Sequence, residues 1–118
     1  IDVLGPEARP STLEALGRLL SHLLALRQLS MSVASMIEDG LSPNVDASIV
    51  KDLGTKFEQE AVRVVRDVVS AEQLTRNGRA DRLKRLLAHA EVYAPAFTIR
   101  GGTNEILRGI IARGIGLR

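Results

Sequence analysis

Cysteine and tryptophan are absent from the 118 residues. Without cysteine there can be no disulfide, no thiolate metal site and no cysteine nucleophile. Aromatics make up only 3%, so the core must be aliphatic, and no stacking platform for single-stranded nucleic acid is available. An excess of one charge is also missing. Sixteen basic against fourteen acidic residues leave +2, which makes no electrostatic case for nucleic acid or an anionic membrane. No apolar run approaches the roughly 20 residues that span a bilayer. The first ten residues lack the basic-then-apolar pattern of a signal peptide. These absences together point to a cytoplasmic protein. The chain begins with Ile1, which is expected of a piece of something longer.

Apolar residues are plentiful at 45%, enough for a folded core. Gly5, Pro6 and Pro10 mark an irregular lead-in. Ser11-Thr12-Leu13-Glu14 reads as a capping box with Ser11 as cap. Leu13, Leu16, Leu20, Leu23, Leu24 and Leu26 follow at helical spacing, and Leu29, Val33, Met36 and Ile37 continue the stripe to Gly40. A cap at Ser42 with Pro43 first in the helix opens a second helix, expected to run to about Val69. Ile49, Leu53, Phe57, Ala61, Val64, Val65 and Val68 lie on its apolar face. Ser70 to Ala80 reads as a connection, and a third helix is expected from about Asp81. It should stop or kink at Ala94, before Pro95. A fourth is expected from Thr103 to about Arg113, ended by Gly114 and Gly116. The predicted fold is all-α, an up-and-down helical bundle.

The chemistry concentrates near the C-terminus. Gly101 and Gly102 permit a sharp turn and close approach of a ligand to the backbone. Thr103 is a good N-cap, and free N–H groups at a helix start suit a phosphate or other anion. His22 and His89 have no partner at metal-ligand spacing, and Ser21 diverges from His22 on a helix. Arg76, Arg79, Arg82, Lys84 and Arg85 form a basic cluster, read as a solvated helix start.

The run Thr98-Ile99-Arg100-Gly101-Gly102-Thr103-Asn104-Glu105-Ile106-Leu107-Arg108-Gly109-Ile110-Ile111-Ala112-Arg113 resembles the C-terminus of acyl-CoA dehydrogenases. Ala47-Ser48-Ile49-Val50-Lys51 resembles a helix start of the same family. The resemblance covers roughly residues 12 to 118, and is compatible with an actinobacterial steroid or fatty-acid type. It implies FAD as cofactor, an acyl-CoA substrate, and a homo- or hetero-oligomer with other acyl-CoA dehydrogenase subunits. It places Gly101, Gly102, Thr103 and Glu105 at the cofactor. No nucleic-acid or membrane partner is implied.

Two departures from the family pattern stand out. One branch carries its catalytic Glu directly before Gly-Thr. Here that position is Gly101, which cannot take a proton. The other branch carries the base on an earlier helix, which would precede Ser11. The expectation is a C-terminal domain over residues 1–118, lacking its first helix and its base. In addition, a Gln-x-x-Gly-Gly run that meets the cofactor of a neighbouring subunit reads here Asp67-Val68-Val69-Ser70-Ala71. A free-standing helical interaction module, or a non-catalytic subunit of a heteromeric enzyme, is the alternative.

Overall fold

The computed structural model describes residues 3–75 and 77–117. Four α-helices follow one another: α1 (Pro10–Glu38), α2 (Asn44–Ala71), α3 (Gly78–Tyr93) and α4 (Asn104–Gly114). A 3-10 turn, Ala94–Thr98, joins α3 to the loop before α4. Among the described residues there is no strand, only an isolated antiparallel bridge between Leu4 and Leu74.

Local chemistry sets the helix ends. At the C-terminus of α1, Gly40 sits at φ +77°, its N–H donates to Ile37 O, and Leu41 N donates to Met36 O. This is a Schellman motif, which needs the left-handed glycine. The same pair of bonds closes α4, with Gly116 at φ +83°. Pro95 has no N–H to continue α3, and the chain tightens into the 3-10 turn at the predicted place.

Three helix starts differ from expectation. α1 begins at Pro10, not after Ser11, because Pro10 is preset for the first helical position and draws the start two residues earlier. Ser11 then lies inside the helix and the capping box does not form. α2 begins at Asn44, with Pro43 as its cap residue and no side-chain cap, so Ser42 does not serve. α3 starts at Gly78, three residues ahead of Asp81. Asn77 Oδ1 accepts from Arg79 N at 3.1 Å and Ala80 N at 3.0 Å, which makes Asn77 the cap. α2 also continues through Ser70 to Ala71, beyond Val69.

The chain runs up and down. α1 lies antiparallel to α2, bringing Thr12 to Glu72 at one end. α3, the 3-10 turn and α4 make one return path along α2. Gln59 meets Ala94, Asn104 meets Asp52, and Gly114 meets Val45. α2 is therefore the central helix, and among the described residues α1 packs mainly on it.

That arrangement leaves α1 open. The single predicted stripe divides into two lines. Thr12, Leu16, Leu19, Leu26, Val33 and Met36 are buried or half-buried against α2, while Leu13, Leu20, Leu24, Met31 and Ile37 are exposed. The radius of gyration is 17.5 Å, where a compact chain of this length has about 13–14 Å. The accessible surface of 8432 Å² exceeds that of a compact 12.8 kDa monomer by about 2,100 Å².

Candidate functional site

The two sequence stretches that share the family resemblance meet in space. Gly101 and Gly102 both adopt positive φ, +66° and +102°, conformations that side chains resist. They turn the chain from the 3-10 element into α4. Thr103 is the N-cap, and its hydroxyl accepts from Ile106 N at 3.4 Å. Beneath the loop lies Lys51, from the Ala47–Lys51 stretch. A Cβ built on Gly101 would stand 3.8 Å from Lys51 Cε, and one on Gly102 would meet nothing. Among the described residues nothing therefore crowds the loop at Gly102.

Each flank of the loop is tied to α2. Upstream, Arg100 Nη2 donates to both carboxylate oxygens of Glu58, at 2.9 and 2.7 Å. The guanidinium also lies 5.0 Å from the centre of the Phe97 ring. Downstream, Asn104 Nδ2 donates to Asp52 Oδ1 at 2.8 Å, and Asn104 Oδ1 accepts from Thr55 Oγ1 at 3.3 Å. Lys56 pairs with Asp52 Oδ2, and Arg108 Nε stands 3.4 Å from Asp52 Oδ1.

Among the described residues this cluster is one of the most buried parts of the chain. Asp52, Thr55 and Asn104 are 6%, 2% and 5% exposed, and the few buried apolar residues are Val68, Ala80 and Leu107. Burial pushes the Asp52 carboxyl up. The Lys56 ammonium, the Arg108 guanidinium and the Asn104 amide outweigh it and hold the group below the usual carboxylate range.

Glu105 lies in the first turn of α4. Its own backbone N–H and the Thr103 hydroxyl lower its pKa, with help from Arg108. A carboxylate thus already sits at the positive end of the helix, where an external anion would have to compete with it.

Alongside the loop runs an open, mostly apolar groove between α1 and α2, of about 530 Å³. Leu23, Val33, Ala47, Val50, Gly54 and Phe57 line it, with Lys51 and Glu58 on its rim. Glu58 is the residue that holds Arg100, so the groove and the loop share a border.

FAD fits the two places named by the family pattern unequally. The Gly101–Gly102 loop presents a backbone cradle that a Cβ would strain, open to an incoming group. The end of α2 is different. Residues 67–71 are helical, so their N–H groups are spent within the helix. Asp67 is paired with Arg66 at 3.2 Å and reaches Arg63 at 4.0 Å. Glu72 follows as the C-cap, beside the negative end of the helix dipole. The helical backbone of this end offers no free N–H groups to a pyrophosphate, and the carboxylates of Asp67 and Glu72 stand beside it, so it does not fit one.

The remaining sequence candidates lie elsewhere. His22 meets the Phe57 ring edge-on, and His89 packs beside Tyr93. Among the described residues no group of metal-ligating side chains assembles. Arg82, Lys84 and Arg85 are exposed on α3, while Arg76 lies outside the described residues.

Sequence reasoning missed the line Ser48, Asp52, Thr55 and Gln59, which faces the 3-10 turn and α4. A polar line at helical spacing reads as a solvent face, and only the partner helix shows otherwise.

A family model described as Acyl-CoA dehydrogenase, C-terminal domain, matches residues 7–116. No curated protein and no solved structure is significantly similar to the chain. With that match spanning nearly all of the described residues, and with the two stretches that suggested it packed against each other, the chain belongs to the acyl-CoA dehydrogenase family, as a C-terminal helical domain.

Proposed function

We propose that this domain forms the acyl- and flavin-facing wall, and an assembly surface, of an oxidoreductase that introduces an α,β-double bond into an acyl-CoA. The observation that carries this reading is the Gly101–Gly102 loop, open in front and bordered by the apolar groove. FAD, when bound, would accept the hydride from the acyl β-carbon.

The chain's own residues act by shape. The groove offers Leu23, Val33, Val50 and Phe57 to an acyl chain and excludes water from it. The two glycines let the thioester end come close to the backbone. In this reading Gly101, Gly102, Thr103 and Glu105 stand at the cofactor.

A general base must be free to take a proton near the operating pH. Around the loop, Asp52 and Glu105 are held below the usual carboxylate range, and both oxygens of Glu58 accept from Arg100 Nη2. This supports a base supplied from outside residues 1–118. The exposed leucines of α1 favour burial against a further helix or a subunit, like or unlike.

Photolabelling tests the proposal. The flavin-loaded enzyme is treated with an acyl-CoA bearing a diazirine in its acyl chain, and adducts are mapped by mass spectrometry. Labels are expected within residues 23–33, 47–58 or 99–103. Labels confined to other parts of the enzyme would overturn the assignment of this face.

A further inference from the structure

The loop is a bridge hung between two carboxylates of one helix. Glu58 grips Arg100 immediately before Gly101, and Asp52 grips Asn104 immediately after Thr103. The anchors are six residues apart on α2, about 9 Å along its axis. Only Gly101, Gly102 and Thr103 lie between their partners.

The arrangement comes at an energetic cost. A buried carboxylate is stabilising only when its partners are well placed, and an apolar contact of the same volume often serves stability as well or better. Yet among the described residues the least exposed, Thr55, belongs to this polar cluster, in a domain whose apolar core is slight. What a polar cluster adds over an apolar one is direction. Asn104 donates to Asp52 and accepts from Thr55, so its amide can sit only one way round. Arg108, one turn further along α4, reaches the same Asp52 oxygen. The first two turns of α4 are thereby fixed in rotation as well as in distance.

We infer that Asp52 and Glu58 are positioning residues, which act through Asn104, Arg108 and Arg100 to set where the Gly101–Gly102 backbone presents itself to its ligand. Each carboxylate is engaged by a residue flanking the two glycines rather than by the glycines themselves. The pair divides the work. Asp52 is buried and sets the angle of α4, and Glu58 lies on the groove rim and fixes the entry of the loop. In its link to turnover the inference rests on the function proposed above. The placement of the loop itself does not.

Backbone hydrogen exchange of the full-length protein reads that placement directly. With Asp52→Asn, the amides of Ile106 and Leu107, which close the loop onto α4 through the Thr103 hydroxyl and carbonyl, are expected to exchange at least tenfold faster, and those of α1 less than twofold faster. The exchanged pair Asp52→Asn with Asn104→Asp, which restores a carboxylate–amide contact, should bring the loop back to within threefold of the parent. Equal acceleration along α1, no acceleration at the loop, or no rescue by the exchanged pair would overturn the inference. Should Asp52→Asn fail to fold, Glu58→Gln serves in its place. It should speed Ile99, whose N–H donates to Ala96 O just ahead of the loop, at least threefold with α1 unchanged, and an unaltered Ile99 would refute the pairing. In the flavin-loaded enzyme the same variants should lower kcat more than tenfold with KM within threefold. An enzyme that turns over no acyl-CoA would remove the proposed function, while the exchange result would still decide the role of the two carboxylates.

Discussion

Glu72, the C-cap of α2, accepts the backbone N–H of Arg9 at 3.0 Å and so caps α1 from another helix. The same carboxylate oxygen takes the Thr12 hydroxyl. α1 has no side-chain cap of its own, and its start would otherwise leave donors unsatisfied. The contact also ties the lead-in to the α2–α3 connection, where Thr75 N donates to Val3 O at 3.0 Å. Hydrogen bonds from Thr12 and Arg9 lower the Glu72 pKa. A carboxylate with a depressed folded pKa stabilises above its unfolded pKa, and that share is lost as pH falls through the folded value. Glu72→Gln should therefore flatten the acid limb of the pH–stability curve and speed amide exchange at Thr12 and Leu13. An acid limb identical to the parent's would contradict the cap.

Asp52 has the same sign of pH dependence with different partners. Its carboxyl is held low by Lys56, Arg108 and Asn104 against the effect of burial, so its contribution is complete above the unfolded pKa and fades below it. Asp52→Ala removes a charged acceptor, and bonds to charged groups are worth about 1.5–3 kcal/mol. The loss should sit near the middle of that range, because Lys56 and Arg108 are half-exposed and regain water. Urea titration at neutral pH measures it. A loss below about 0.5 kcal/mol would show that the cluster contributes little.

Gly109 and Gly114 form a contrast within one helix. A Cβ on Gly109 would meet only the end of the Arg113 side chain at 3.7 Å, whereas one on Gly114 would stand 2.2 Å from Val45 Cγ2. Gly109→Ala should raise stability by up to about 1 kcal/mol through helix propensity. Gly114→Ala should lower it by about 1–3 kcal/mol through overpacking. Adding Val45→Ala should recover part of the second loss. Thermal melts of the three variants decide, and a stabilising Gly114→Ala would mean that α4 does not approach Val45 this closely.

These cases show what the sequence could convey. Helix number, the stop before Pro95, the cap at Thr103 and the glycine ends at Gly40 and Gly116 are local effects, written within a few residues. Three helix starts lie a few residues from their expected places, but the missed features that shape the site and the packing are long-range. Glu72 caps a helix 63 residues upstream of itself in numbering. Asp52 is buried by a helix 52 residues on. The stripe on α1 was legible as apolar, but its division into a covered and an open line depends on which helices are absent from its outer side.

That open line has a consequence in solution. Leu20, Leu24 and Met31 are each 56% exposed. Together with an excess surface of about 2,100 Å², this exceeds what monomers leave open. The chain alone should self-associate, shown by a concentration-dependent sedimentation coefficient. Leu20→Gln with Leu24→Gln should shift it toward monomer while leaving the α2–α4 contacts intact. A parent chain that sediments as a monomer up to about 100 µM, well above the micromolar range of weak association, would contradict this.

Gly101→Glu brings the loop geometry and the reaction together. One branch of the family places its base there, so a carboxylate could abstract a proton if the backbone allowed it. Here φ is +66°, where a side chain costs about 1–2 kcal/mol. The first atom that side chain would approach is Lys51 Cε. Pairing with the Lys51 ammonium would lower the pKa of the new carboxylate and weaken it as a base. Gly101→Glu alone is therefore expected to destabilise the loop and to give no gain of dehydrogenase activity. Adding Lys51→Met removes the competing cation, and a gain appearing only in the double variant would place position 101 against the acyl α-carbon in a chain that lacks its own base. If the complete enzyme already carries a base, the second carboxylate should instead depress activity, because like charges in a dry site oppose each other's ionisation. Activity unchanged in both variants would mean that Gly101 does not face the thioester.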